Sequence, residues 1–258
     1  FSTYPKKIYL LAKKIFPICR SLTGKGNRKT LKIIKKVLPE LKVHEIKTGE
    51  KVFDWKVPNE WNVSEAYIVG PNKKKIIDFK NNNLHLVSYS TPINQSISFE
   101  KLKKKLHFNK KIKDAIPYVC SYYNRDWGFC LTYNEYNKLK KGIYKVKINS
   151  SLKPGSLSYA DLLIKGKSKK EILFSSYICH PSMGNNEVSG PALLTYLAKY
   201  VKGLKNRKFT YRFILAPENI GSIIYINKNF QKLKKNVIAA YNITCVGDDK
   251  NYSFLHSK

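Results

Sequence analysis

Residues 171–194 carry the side chains best able to do chemistry. An apolar, β-branched and aromatic segment (Ile172, Leu173, Phe174, Tyr177, Ile178) stops at Cys179-His180-Pro181. A polar turn, Asn185-Asn186-Glu187, then leads through Ser189-Gly190 into an apolar run over 192–200. The pattern predicts a buried strand that delivers a histidine to its carboxyl end, followed by a loop and a helix. Ligands of open α/β sheets gather at those carboxyl ends, and imidazole is the commonest protein ligand for metals. His180 therefore reads as part of a metal site, although a helix-capping turn holding a hydrogen-bonded histidine would give the same local pattern. Cys179 beside His180 offers a nucleophile, but adjacent residues of a strand point to opposite faces, which argues against the pair acting together.

Two further strand ends carry suitable groups. From Pro154-Gly155 onward, strand-like segments over 160–164, 172–179, 211–216 and 237–246 alternate with helical segments over 189–201 and 220–230. That alternation predicts an α/β fold with a mixed, mostly parallel sheet flanked by helices. The third strand runs into Pro217-Glu218-Asn219 and the fourth into 244–248, which ends on Asp248. Histidine, glutamate and aspartate converging at strand ends form the arrangement that a hydrolytic metal site requires.

The elements that must position these residues differ along the chain. The first 50 residues predict an amphipathic helix over 4–16, ended by Pro17, and a second helix with Asn27 as N-cap and Leu31, Ile33, Ile34, Val37 and Leu38 on its apolar side. Between them, Arg20-Ser21-Leu22-Thr23-Gly24-Lys25-Gly26 combines two glycines and two hydroxyls with basic residues just before a helix N-terminus. Such a loop could cradle an anion or simply join two helices; the spacing of a Walker loop is absent. Residues 51–150 read instead as short β segments, over 52–55, 66–69, 76–79, 84–89, 127–131 and 143–148, bounded by turn residues. The expected organisation is an α/β domain made of 1–50 and 151–258, interrupted by a β-rich domain over 51–150. Tyr118, Tyr122, Tyr123 and Trp127 of the insert could stack on sugar rings or fill its core.

Composition narrows the function classes. At 258 residues and 43% hydrophobic, the chain can bury one large core or two smaller ones. No run of about 18 apolar residues suggests a membrane span, and the N-terminus lacks a signal-peptide pattern, so a cytoplasmic protein is expected. Met183 is the sole methionine, and the sequence closes on Leu255-His256-Ser257-Lys258 after a strand-like segment, so the chain reads as a fragment. The formal charge of +32 would suit a nucleic-acid partner, but only Arg20, Arg28, Arg125, Arg207 and Arg212 are arginines among the 49 basic residues. Dispersed lysine lacks the bidentate and stacking contacts that nucleic-acid readers favour, so nucleic acid is not an expected partner. Five widely spaced cysteines without a CxxC pair exclude a disulfide framework and a zinc knuckle, and leave Cys179 and Cys245 as small core residues.

The chain resembles the bacterial polysaccharide-biosynthesis proteins with an aminopeptidase-like domain. The matching segments are Ser21-Leu22-Thr23-Gly24, Val52-Phe53-Asp54-Trp55, Arg125-Asp126-Trp127-Gly128-Phe129-Cys130 with the tyrosines before it, Tyr177-Ile178-Cys179-His180-Pro181-Ser182, and Thr244-Cys245-Val246-Gly247-Asp248. The resemblance implies a discontinuous zinc-aminopeptidase-like α/β domain with a smaller domain inserted; in that family a winged-helix segment usually follows. More distantly the chain is similar to co-catalytic zinc aminopeptidases, whose strand-end histidine falls on His180. Their bridging aspartate falls on Asn186, a poorer bridge between cations than a carboxylate. Of their Glu-Glu pair only Glu218 matches, as base or ligand, and Asp248 stands four residues after the position of their next aspartate.

The resulting expectation is a zinc-dependent hydrolase, with one or two ions, acting on an amide in a small peptide or an N-acylated sugar. Glu218 is the expected general base, His180, Asn186 and Asp248 the metal ligands, and Arg20, Asn185 and Trp127 the substrate contacts. A homo-oligomer is compatible with this. The alternative is a noncatalytic protein of the same fold that binds a glycan or a partner.

Overall fold

The computed structural model describes residues 3–250 and 253–256; Ser257 and Lys258, and with them the last positions of the expected α/β domain, lie outside the described residues. Two compact units are formed, one from residues 1–58 and 154–258 and the other from 59–153. In chain order the first unit begins with α1 (Tyr4–Ile15), α2 (Lys25–Lys35), β1 (Lys42–Lys47) and a tight hairpin of β2 (Lys51–Val52) and β3 (Trp55–Lys56). The second unit holds β4 (Glu60–Val69), β5 (Lys75–Asp78), β6 (Ile93–Ser98), α3 (Phe99–Lys103), β7 (Leu106–His107), β8 (Phe129–Cys130), α4 (Tyr133–Tyr136) and β9 (Ile143–Lys153). The first unit then resumes with β10 (Ser156–Ile164), β11 (Glu171–Tyr177), α5 (Gly190–Gly203), β12 (Thr210–Ala216), α6 (Ile220–Asn236) and β13 (Val237–Asn242).

The first unit is an α/β fold around a mixed sheet of order β1-β10-β12-β11-β13. Its balance is even, because β11 pairs in parallel with β12 and β13 while β10 runs antiparallel to both β1 and β12. After α5 the chain returns on one side of β11, as β12, and after α6 on its other side, as β13. A reversal of this kind opens a crevice at the carboxyl ends of the parallel strands. Leu31, Ile34, Leu194, Ala198 and Val201 of α2 and α5 pack on one face with Leu162, Phe213 and Leu215. Ile224 and Tyr225 of α6 pack on the other, with Val52, Val57, Leu157 and Tyr159. Each of these fully buried aliphatic side chains contributes about 1.5–3 kcal/mol. The hairpin over 51–56, read from sequence with the insert, packs in this second core. In the other unit β5-β4-β9-β6 form an antiparallel sheet.

Several elements differ from the sequence reading. The second helix starts at Lys25, with Gly24 as N-cap. Asn27 is buried inside its first turn, where Nδ2 donates to the Ser21 carbonyl (2.7 Å) instead of the side chain capping the helix. Residues 84–89 are not a strand: Asn83–His85 form one 3₁₀ turn, and Tyr89 adopts φ +68°. β11 ends at Tyr177, so Cys179 lies beyond the strand, and β13 ends at Asn242, short of Cys245, which is exposed and adopts φ +52°.

Candidate active site

His180 and Glu218 reach the same place because β11 and β12 are parallel neighbours. Ile178 N–H still bonds the Ala216 carbonyl (3.2 Å) past the end of β11. The next residues of each strand, Cys179-His180 and Pro217-Glu218, then leave the sheet together. Glu218 N–H donates to Cys179 Sγ (3.1 Å), which ties the two turns. His180 Nε2 lies 3.9 Å from the Glu218 carboxylate, and their side chains are 15% and 37% exposed.

The other side of the imidazole is closed. Glu187 Oε1 lies 2.8 Å from His180 Nδ1, and the Glu187 side chain has no exposed surface. Its Oε2 accepts from the backbone N–H of Cys179 (2.6 Å) and of His180 (3.2 Å). Cys179 Sγ is 3.5 Å from His180 Nδ1, so the two side chains meet instead of pointing apart, because both residues sit in the turn beyond the strand. Burial first, then the Glu187 charge, push the Cys179 thiol well above its ordinary value. It is a thiol, not the thiolate a nucleophile needs.

Arg20 lies fully buried next to this group. Its Nη1 donates to the Ile15 carbonyl (2.6 Å), while Nε and Nη2 are buried without a hydrogen bond. Burial lowers its pKa, opposed chiefly by the charge of Glu187. Arg20 is brought here by the packing of Leu11, Ile15 and Ile18 against Val188 and Ala192, and by the Ser182 hydroxyl donating to the Phe16 carbonyl (3.0 Å). The loop after it closes on itself, since Ser21 bonds the Thr23 carbonyl and a Cβ at Gly26 would stand 1.8 Å from the Cys19 carbonyl oxygen.

Three backbones at this end of the sheet are held at positive φ: Glu187 (65°), Asn219 (56°) and Cys245 (52°). Each such conformation costs about 1–3 kcal/mol and is typical of functional turns. Gly190, which opens α5, is packed so closely that a Cβ would lie 2.4 Å from the Ile243 carbonyl oxygen and from Ser176 Oγ.

Cys179, His180, Glu187 and Glu218 offer donor atoms that all lie within 4.8 Å of one another. His180 and Glu218 were expected there from sequence; Glu187 was not singled out. Asn186, one residue earlier, is half-buried. Asn185 staples two loops, its Oδ1 accepting from Gly247 N–H (2.7 Å). Asp248 is exposed, its Oδ1 accepts from Lys250 N–H (2.7 Å) in a local turn, and it is not a member of the cluster. Trp127 belongs to the inserted unit, where it lies under Lys105 Nζ (5.7 Å to the ring centre) and edge-on to Phe129.

A mixed sheet with helices on both faces and ligand-type residues at its parallel carboxyl ends defines an aminopeptidase-like α/β protein. The fold is shared with the zinc aminopeptidase BSAP from Bacillus subtilis (TM-score 0.61, 13% identity, 95% of this chain and 69% of that one). The chain belongs to the family described as Domain of unknown function (DUF4910), whose model matches residues 9–258. It is 50% identical over 248 residues to a Clostridium acetobutylicum protein named as a candidate polysaccharide biosynthesis protein with an aminopeptidase-like domain, covering 95% of this chain and 56% of the relative. A crystal structure of a candidate peptidase from Clostridium acetobutylicum superposes with a TM-score of 0.91 at 49% identity, over 95% of this chain and 57% of that one. The chain thus spans little more than half the length of these relatives. No helix among the described residues is long and apolar enough to cross a membrane.

Proposed function

We propose that this chain carries the core of a metal-dependent hydrolase that cleaves an amide in a small peptide or an N-acylated sugar. The observation that carries the reading is the pair His180 Nε2 and Glu218, 3.9 Å apart and both partly exposed. The donor set fits zinc: one imidazole, one thiol and two carboxylates lie within 4.8 Å of one another, and these are the donor types that zinc prefers. His180 would hold the ion through Nε2, with Asn186 as a further ligand. Bound zinc supplies an acidified water and a polarised carbonyl.

The chain's own residues do the rest. Glu218 receives the proton of the attacking water and returns it to the departing nitrogen, which a half-exposed carboxylate can do without crossing the protein interior. The bond from Glu218 N–H to Cys179 Sγ fixes the turn that aims this carboxylate at His180. Arg20, without exposed surface, contributes positive charge beside the site, while Asn185 Oδ1 and Ser189 Oγ accept from the backbone N–H groups of Gly247 and Val246 and hold the two loops together. The reading places the protein in the cytoplasm, where its five free cysteines suit a reducing compartment. Its pathway would be surface-polysaccharide assembly, after the name of the Clostridium acetobutylicum relative.

Elemental analysis of the wild type beside His180→Ala, with turnover of aminoacyl anilides and N-acetylated sugars by Glu218→Gln, tests this. Zinc that is lost in the His180 variant is the expected result, together with metal retained and turnover at least about a hundredfold slower in Glu218→Gln. Full activity in either variant would sink the reading.

A second reading rests on the inserted unit, where Tyr123 is 91% exposed and makes an edge contact with Tyr122 (4.7 Å). An exposed ring of this kind suits stacking on a sugar. A noncatalytic glycan-binding protein would lose glycan binding in Tyr123→Ala and keep it in Glu218→Gln.

A further inference from the structure

We propose that the outer face of α1 is a docking surface for an anionic membrane. The helix would lie in the headgroup layer through Lys6, Lys7, Lys13 and Lys14, with Tyr9 and Leu10 reaching below them. The proposal goes beyond the hydrolase reading and does not depend on it, since it concerns where the chain is held and not what it cleaves.

α1 carries two stripes at helical spacing. Ile8, Leu11, Ala12 and Ile15 stand at i, i+3, i+4 and i+7 and pack inward with Val188, Ala192 and Tyr196. Lys6, Tyr9, Leu10 and Lys13 repeat that spacing on the opposite side, and all four are exposed. Tyr9 is 67% and Leu10 53% exposed, so the helix shows water a large ring and a leucine that its inward packing does not use. Lys7 and Lys14 flank this outer stripe and are exposed as well. A helix with apolar side chains ringed by lysine lies in the plane of a bilayer surface, held by apolar burial and by attraction to anionic lipid. Tyrosine suits the depth of the headgroups, and lysine stems reach up to them.

The charge is local to this part of the chain. No Asp or Glu occurs before Glu40, against eleven lysines and arginines, whereas the other 38 basic residues share the chain with all 17 acidic ones. A lysine-rich composition by itself does not clear such a stretch of acid. Neither α1 nor α2 has an acidic residue in its first turn. Both instead place lysines there, Lys6, Lys7 and Lys25, where the helix dipole is already positive; this costs stability in water and is relieved beside an anionic surface. Ile33 of α2 packs with the inner stripe of α1, so α2 lies alongside, and its exposed Lys29, Lys32 and Lys36 add to the positive field. Lipid fits this face better than other occupants. Arg20 is fully buried, and Arg28 is half-buried with Nη1 donating to Ser156 Oγ (3.3 Å), so the region offers no exposed arginine fork of the kind that nucleic-acid readers use. A second copy of the chain would bring lysine against lysine.

Flotation of the chain with phosphatidylcholine vesicles, with and without phosphatidylglycerol, across a salt series tests this. Binding to the anionic vesicles that weakens with salt, and none to the neutral ones, is expected. Exchanging Lys6, Lys7, Lys13 and Lys14 together for Gln should weaken partitioning at least about tenfold. Tyr9→Ser combined with Leu10→Ser should weaken it at least about threefold. All six side chains are exposed, so the thermal unfolding temperature should not fall in either variant. The control exchanges Lys101, Lys104, Lys110 and Lys111, exposed lysines of the inserted unit, for Gln. It removes the same charge and should leave binding nearly unchanged. Equal losses in the two lysine variants would show that net charge alone drives adsorption and would overturn the proposal. Failure to float with anionic vesicles would also overturn it. So would binding that the Tyr9 and Leu10 exchange leaves intact and that a DNA duplex competes away, which would make the face one for nucleic acid.

Discussion

Glu187 and Arg20 show what a single buried charge demands of its surroundings. Arg20 has no exposed surface and only one of its guanidinium nitrogens bonds a carbonyl, so its charge is balanced by Glu187 across the site rather than by a direct pair. Removing it leaves a fully buried carboxylate without that compensation. Arg20→Met, close in length and apolar, should therefore cost about 3 kcal/mol, seen as a lower urea midpoint with an unchanged slope, and the double variant with Glu187→Gln should recover part of the loss. Two additive losses would show that the charges are not coupled. At this scale the sequence was only half legible. That His180 and Glu218 fall in one cluster was readable because each lies two or three residues beyond a strongly apolar strand. Glu187 was not, since counting back from Gly190 lands on Asn186, and no spacing rule reveals that the backbone flips to positive φ one residue later. Asp248 was read as a ligand by extending β13 to residue 246. The strand stops at Asn242, and the residues after it bond to the loop over 185–189 instead of continuing the strand.

Among the elements, the short turns are set by close approach more than by propensity. α2 begins two residues before the expected N-cap because Gly26 must pass against the Cys19 carbonyl, where a Cβ would stand at 1.8 Å, and Asn27 is spent bonding Ser21. Gly26→Ala should destabilise the chain by about 3 kcal/mol, because the clash is with backbone that cannot move aside without shifting the Arg20 loop. Gly203, the last residue of α5, has open space around it, so Gly203→Ala should be neutral or stabilise by up to about 1 kcal/mol. Urea unfolding of both variants checks the pair, and equal effects would show that local crowding does not decide them. The helices and parallel strands of the α/β unit were legible because their apolar periodicity matches the face they bury. The segment over 84–89 was misread because its apolar residues are buried by turns and isolated bridges, Leu86 with Phe129 and Ser88 with Cys120, which leave the same composition as a strand.

For the molecule as a whole, the sheet of the α/β unit is tied across its width by polar groups inside its second core. Arg212 on β12 forks onto Glu171 of β11 (Nε 2.5 Å, Nη2 3.0 Å) and donates from Nη1 to Tyr225 of α6 (2.7 Å). The Tyr225 hydroxyl donates to Asp161 of β10 (2.9 Å), and Asp161 meets His44 of β1 at 2.8 Å. Tyr159 lies edge-on to Tyr225 (5.5 Å) in the same core. Burial first, and then the Asp161 charge, raise both phenols, Tyr159 to about 12 and Tyr225 further. Their folded pKa values thus exceed the unfolded value of about 10, so the stability they contribute is complete below that pH and is lost as the pH rises through the folded values. Above pH about 10 the unfolded chain sheds protons that the folded chain keeps, and each such group lowers stability by up to about 1.4 kcal/mol per pH unit. Urea midpoints taken across that range should fall steeply in the wild type. In Tyr225→Phe they should start about 1 kcal/mol lower near neutrality, from the lost hydroxyl bonds, and fall less steeply. Parallel curves for the two proteins would mean that the alkaline loss arises outside this network and that the four strands β1, β10, β11 and β12 are not held together through Tyr225.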